Sequence, residues 1–158
     1  MKCIFRGLAV LCAALLLQAS ALAANAGGGA DEAVALVKRA VAYIKANGTE
    51  KAYAEFSNPK GQFVEGNLYI FVYDLNGVSL AIGNGNSARM VGKNLIDMRD
   101  AEGNYLIKGL VNVAKTKGHG WFDYKWPNPV SKAVEQKSSY VERLDDTLVG
   151  CGIYKPGK

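Results

Sequence analysis

Apolar positions recur along this chain with two periods, and the change from one to the other lays out its elements. Val34, Val37, Val41 and Ile44 fall three or four residues apart, the spacing that gathers side chains on one face of a helix. Asp31 and Glu32 stand at its start, where the helix dipole favours negative charge, and Asn47-Gly48 supplies the stop. Thr49 opens a second, shorter helix through Phe56 that ends at "SNPKG". The period then becomes two. In "NLYIFVYD" (67–74), Leu68, Ile70 and Val72 alternate with Tyr69, Phe71 and Tyr73. Both faces are apolar, so both are expected to be covered. "DLNG" (74–77) reads as a turn and "VSLAI" (78–82) as the antiparallel return strand. Residues 83–104 are rich in Gly, Asn and Asp, a loop long enough to be functional. Helical period returns in "NYLIKGLVNVAKTKG" through Leu106, Leu110 and Val113. Three strands follow, at 120–126, 132–144 and 147–154, joined by "PNPVS" and "DD". This order predicts an α+β domain with a five-stranded antiparallel sheet.

The N-terminus changes the picture by fixing a compartment. Lys2 and Arg6 precede an apolar run from Gly7 to Leu17, followed by "ALA" at 21–23. That is the layout of a secretory signal peptide, expected to be cut after Ala23. The run is too short for a bilayer span, which takes roughly 20 residues; an uncleaved anchor is the alternative. A glycine-rich spacer (24–30) then leads into one domain (31–155), and the protein is expected to be periplasmic or secreted. Losing residues 1–23 removes two basic residues and no acidic one, which lowers the net charge from +5 to +3. No Lys/Arg block is present, so a nucleic-acid partner is not expected. Cys3 and Cys12 leave with the leader. Cys151, in the apolar run "LVGCGIY", then reads as a buried small hydrophobe without an intrachain partner.

"GNGNSARMVG" (83–92) places Gly83, Gly85 and Ala88 in the G-x-G-x-x-A spacing of a dinucleotide loop. That loop works inside a parallel βαβ unit, whereas the strand before it here returns antiparallel, so no cofactor is expected. His119 and Cys151 are the sole His and Cys of the mature chain, too few for a His/Cys metal cluster. His119 in "KGHGW" reads as part of a turn and not as a triad base. "DMRDAEG" (97–103) has Arg99 where a calcium loop needs an oxygen ligand. The pairs Asp97/Asp100 and Asp145/Asp146 stand in turns, where Asp serves local hydrogen bonding. No catalytic residue, metal site or enzyme activity is expected.

Four segments in order, "YIFVYDLNGVSLAIGN", "VGKNLIDMRDAEGNYLIKGLVNVAKTKGHGWFDYKWPNP", "KSSYVERLDD" and "LVGCGIY", resemble the type-2 single Cache domain, an extracytoplasmic small-molecule sensor. The likeness covers residues 31–155. It implies a PAS-like fold: a long N-terminal helix on one face of a five-stranded antiparallel sheet, with a ligand pocket on the other face under the loop and short helix. It also implies a small organic acid as ligand. Tyr124 and Trp126 match the family's pocket-lining aromatics, and Lys137 and Tyr140 match its "K-x-x-Y" strand. Lys137, and Arg89 in the roof loop, are carboxylate partners by their chemistry. Core packing for the aromatics and solvent exposure for the two cations stay open as alternatives. The resemblance leaves undecided which face of the strand carrying Tyr69, Phe71 and Tyr73 meets the ligand. Domains of this kind sit between the membrane helices of a receptor. Because the chain stops at "YKPGK", any signal is expected to pass to a partner such as a membrane histidine kinase, chemoreceptor or transporter. A homodimer through the long helix stays open. The alternative function is a ligand-free interaction or structural module that regulates a membrane protein.

Overall fold

The computed structural model describes residues 28–155. The leader at 1–23, its cut after Ala23 and most of the spacer lie outside the described residues. Helix α1 (Ala30–Asn47) is followed by α2 (Thr49–Phe56). A small hairpin, β1 (Val64–Glu65) with β2 (Leu68–Tyr69), leads into β3 (Phe71–Asp74) and β4 (Ser79–Ile82). The loop after β4 carries one turn of helix, α3 (Ser87–Met90), and ends in α4 (Leu106–Lys117). Strands β5 (His119–Pro127), β6 (Val134–Leu144) and β7 (Thr147–Tyr154) complete the chain.

The main sheet runs in the order β4-β3-β7-β6-β5, with every neighbouring pair antiparallel. The last strand therefore lies at its centre, between β3 and β6. This is the α+β, PAS-like arrangement expected from the sequence. The expected strand 67–74 is broken at Ile70, whose N–H bonds to Phe63 instead, so its first part pairs with β1.

Each face of the sheet has its own cover. Leu36, Val37, Val41 and Ile44 of α1 are buried against Leu68, Ile70, Val72, Val149 and Cys151. At about 1.5–3 kcal/mol for each of the four large helix side chains, the stripe contributes at most roughly 6–12 kcal/mol. Burial pushes the Cys151 thiol up to about 12, which keeps it protonated and inert. On the other face, Tyr69, Phe71, Tyr73 and Ile82 lie under Leu106, Ile107 and Leu110 of α4. Gly109 lets the helix sit down, because a Cβ there would come within 2.1 Å of the Phe122 ring.

The loop between β4 and α4 is stitched to the sheet. Asp100 is its main strap: Oδ1 accepts from the N–H of Glu102 and of Asn104, and Oδ2 accepts from the N–H of Lys125 on β5 at 3.0 Å. Desolvation raises the Asp100 pKa, but these donors outweigh it and leave the carboxyl below its ordinary value. The β3–β4 turn supplies the second attachment, because Gly77 O accepts from the N–H of Leu95 at 2.8 Å.

Gly77 has φ +90° and would place a Cβ 2.7 Å from Ile96 Cβ and 2.9 Å from its Cα. Gly92 also has positive φ, +83°, but nothing lies within 4 Å of its would-be Cβ. Gly77→Ala is thus expected to cost roughly 2–4 kcal/mol through strain and overpacking together. Gly92→Ala is expected to cost about 1–2 kcal/mol through backbone strain alone. Urea unfolding of the two variants measures the difference.

Candidate functional site

Strand register assembles the site on the face covered by α4. Lys137 on β6 stands opposite Tyr124 of β5 on one side and Tyr154 of β7 on the other. Ser139, two residues along the same face, stands opposite Phe122 and Gly152. The period-two run "GCGIY" thus offers this face two glycines and a tyrosine, and its opposite face Cys151 and Ile153. Both glycines make room. A Cβ on Gly152 would come within 2.4 Å of Lys137 Cε, and one on Gly150 within 2.4 Å of the Phe71 ring.

The Lys137 side chain lies over Gly152 with 0% of its surface exposed. Its ammonium donates to Tyr69 Oη at 2.7 Å and to Tyr154 Oη at 3.4 Å. It also sits 3.9 Å from the Tyr69 ring centroid and 4.8 Å from that of Tyr154, within reach of a cation–π attraction. None of the carboxylates among the described residues pairs with it. Desolvation therefore dominates and pulls the amine from 10.5 down to about 7. Burial pushes the Tyr69 and Tyr124 phenols far up, so both remain neutral hydroxyls, and Tyr124 Oη shares a 2.9 Å hydrogen bond with Ser139 Oγ.

Beside this group lies a void walled by Tyr69, Phe71, Tyr73, Tyr124 and Trp126 and roofed by Leu106 and Leu110. It leaves about 10 Å³ for the centre of a water-sized sphere, room for about one water. Lys137 touches one of its walls, Tyr69, and its ammonium lies 5.8 Å from the ring centroid of another, Phe71, without lining the void. The arrangement is an aromatic chamber with room for about one water and a buried cation behind one wall.

The structure brings together three of the five residues singled out from the sequence: Tyr124, Trp126 and Lys137. It separates the other two. Tyr140 points to the opposite face, in the α1 layer, beside Trp121 at 5.6 Å between ring centroids; there it lines an open surface groove with Lys38 and His119. Arg89 is exposed on α3, which turns Met90 inward in its place. Sequence reasoning passed over Tyr154, Ser139 and the two glycines, and left Tyr69 unassigned between faces. The spacing 150, 152, 154 was the signal that could have found three of them.

The other motifs take structural roles. β4 is antiparallel to β3 and α3 has four residues, so the G-x-G-x-x-A spacing opens no βαβ unit. Gly83 serves packing, since its Cβ would come within 2.9 Å of Phe56 O. No group of three or more metal-ligating side chains occurs among the described residues, nor does any helix there have the length and apolarity to cross a membrane.

Comparison with known proteins agrees with this architecture. The profile of the family described as single Cache domain 2 matches residues 29–155. A crystal structure of a methyl-accepting chemotaxis protein from Vibrio parahaemolyticus superposes with a TM-score of 0.66 at 30% identity, over 78% of this chain and 86% of that one. A Cache chemosensory domain solved to explain its recognition of carboxylic acids shares the fold, with a TM-score of 0.65 at 22% identity over 80% of this chain and 92% of that one. The sensor histidine kinase MctS of Rhizobium johnstonii is 34% identical over 88 residues, which are 54% of this chain and 18% of the kinase. The chain thus spans under a fifth of that kinase's length. It belongs to the single Cache domain 2 family, as a sensor domain homologous to those of chemotaxis receptors and histidine kinases.

Proposed function

We propose that this protein is a periplasmic sensor for a small organic acid, with the acid's carboxylate held by Lys137 and its body enclosed by Tyr69, Phe71, Tyr124 and Trp126. The observation that carries this reading is the buried ammonium of Lys137, which meets hydroxyls and aromatic faces but no carboxylate. A cation kept dry without a counter-charge costs stability, and an anion bound beside it would restore the balance. The carboxylic acids recognised by the Cache chemosensory domain of the same fold belong to that chemical class. Export by the leader at 1–23 would deliver domain 31–155 to the compartment where such acids arrive from outside. The occupied domain would act on a membrane histidine kinase, chemoreceptor or transporter, binding being its whole chemistry.

One observation favours a second reading, a ligand-free interaction module: the void has room for about one water. Acetate is larger than that, so the first reading requires the aromatic walls to part. Calorimetric titration of the stripped, folded protein with C2–C4 carboxylates separates the two. Saturable micromolar binding is expected, weakened at least about a hundredfold in Lys137→Met, as for loss of one partner of a buried charge pair. Absence of heat with every acid would move the interaction module to first place.

The proton on Lys137 makes binding depend on pH. Acids of this class are ionised above about pH 6, and the charged amine is the form they would bind. Affinity is expected to be flat between about pH 6 and 7, near the free amine's value, and to fall by up to about tenfold per pH unit above it. Titrations at pH 6, 7, 8 and 9 measure the slope, and a flat profile would contradict the assignment.

The same proton sets a stability profile. The folded state lowers the amine from 10.5 to about 7, so the full penalty, roughly 5 kcal/mol, applies below pH 7 and is relieved as pH rises toward 10.5. The Lys137-dependent part of ligand-free stability should therefore increase across that window. Lys137→Met is expected to stabilise the ligand-free fold at pH 6 by about 1–4 kcal/mol and to remove that part of the pH dependence, both read from thermal unfolding.

A further inference from the structure

The aromatic void and the surface groove beside it share one wall. Trp126 lines the void, and it also lines a groove of about 430 Å³ between the loop after β4 and the segment after β5. The groove has polar banks: Asn84 and Asn86 on one side, Asn128 and Lys132 on the other. Both banks are held by their own hydrogen bonds. Asn128 Nδ2 donates to Glu135 at 2.8 Å, its Oδ1 accepts from the N–H of Val130 at 2.9 Å, and its backbone bonds to Ala133 and Lys132. Asn84 Oδ1 accepts from the N–H of Asn86 at 3.0 Å.

Trp126 is half-buried between these fixed banks and meets Tyr124 edge-on at 6.3 Å. The groove also comes close to the buried cation. Pro127 on its floor accepts from Tyr154 Oη at 3.0 Å, and the same hydroxyl accepts from Lys137 Nζ at 3.4 Å. Besides Trp126, the void is lined by sheet residues beneath it and by Leu106 and Leu110 above it.

The geometry points to Trp126 as the door of the anion site and to the polar groove outside it as the vestibule through which a small carboxylate reaches Lys137. This rests on Lys137 being the carboxylate's partner. Swinging the indole outward joins the void to the groove and gives the acid the space that the chamber lacks. Lys132 places a positive charge at the mouth, on the bank where Asn128 is bonded to the Glu135 carboxylate.

Exchange rates test this directly. The probe is the tightest-binding of acetate, propionate, lactate and pyruvate, carrying ¹³C, and NMR line shapes give its association and dissociation rates. Trp126→Ala is expected to raise both rates at least about tenfold by removing the door. Asn86→Trp fills the groove from an exposed position and is expected to lower both rates about tenfold with the Kd within about threefold. Should Trp126→Ala fail to fold, Asn86→Trp carries the test, since it leaves the chamber walls unaltered. Unchanged rates in the folded variants, with binding still weakened at least about a hundredfold by Lys137→Met, would overturn the door and leave the carboxylate assignment standing. A wild type that binds none of the four acids would overturn both.

Discussion

Much of the α4 side of this sheet is arranged around one lysine ammonium held out of water without a carboxylate. Lys137 reaches its place because Gly152 has no side chain, since a Cβ there would lie 2.4 Å from Lys137 Cε. Its neighbours satisfy two N–H groups with tyrosine hydroxyls and place aromatic rings against the charge. Those contacts recover part of the hydration lost on burial, and the amine sits near 7 because they do not recover all of it. A charge in that state is sensitive to any anion that comes beside it, which is the property a sensor needs.

The two faces of the sheet divide the work. The α1 face is a conventional apolar layer in which Val149 and Cys151 of the central strand meet the helix stripe. The α4 face is aromatic, contains hydroxyls and a cation, and holds the void. β7 lies between β3 and β6, and its successive residues, turned to opposite faces by the pleat, contribute to both layers. Its C-terminal residue, Tyr154, bonds the buried ammonium and the last residue of β5, Pro127, together. A change at Lys137 is therefore felt at the end of the central strand within one hydrogen bond.

The α1 stripe, the turn at 74–77 and the three long strands were legible because each is a clean period with a clear stop. The β1–β2 hairpin was not, because two-residue strands around Asn67 leave no period to read. Of the site, Tyr124 and Trp126 were legible from alternation, and Lys137 from its chemistry and the family's motif. Tyr140 illustrates a constraint that a motif can hide: positions 137 and 140 differ by three, so one extended strand turns them to opposite faces. Arg89 could not be placed because its direction depends on a single helical turn inside a loop. The pairing of Lys137 with Tyr69 joins residues 68 positions apart, and only the strand order brings them together.

The most direct measurement of this account is NMR titration of the Lys137 side chain, assigned through loss of its signal in Lys137→Met, with and without a saturating small carboxylate. A value near 7 in the free protein, rising by at least about one unit when the acid binds, is the predicted result. An ordinary value near 10.5 in the free protein, unmoved by the acid, would contradict it.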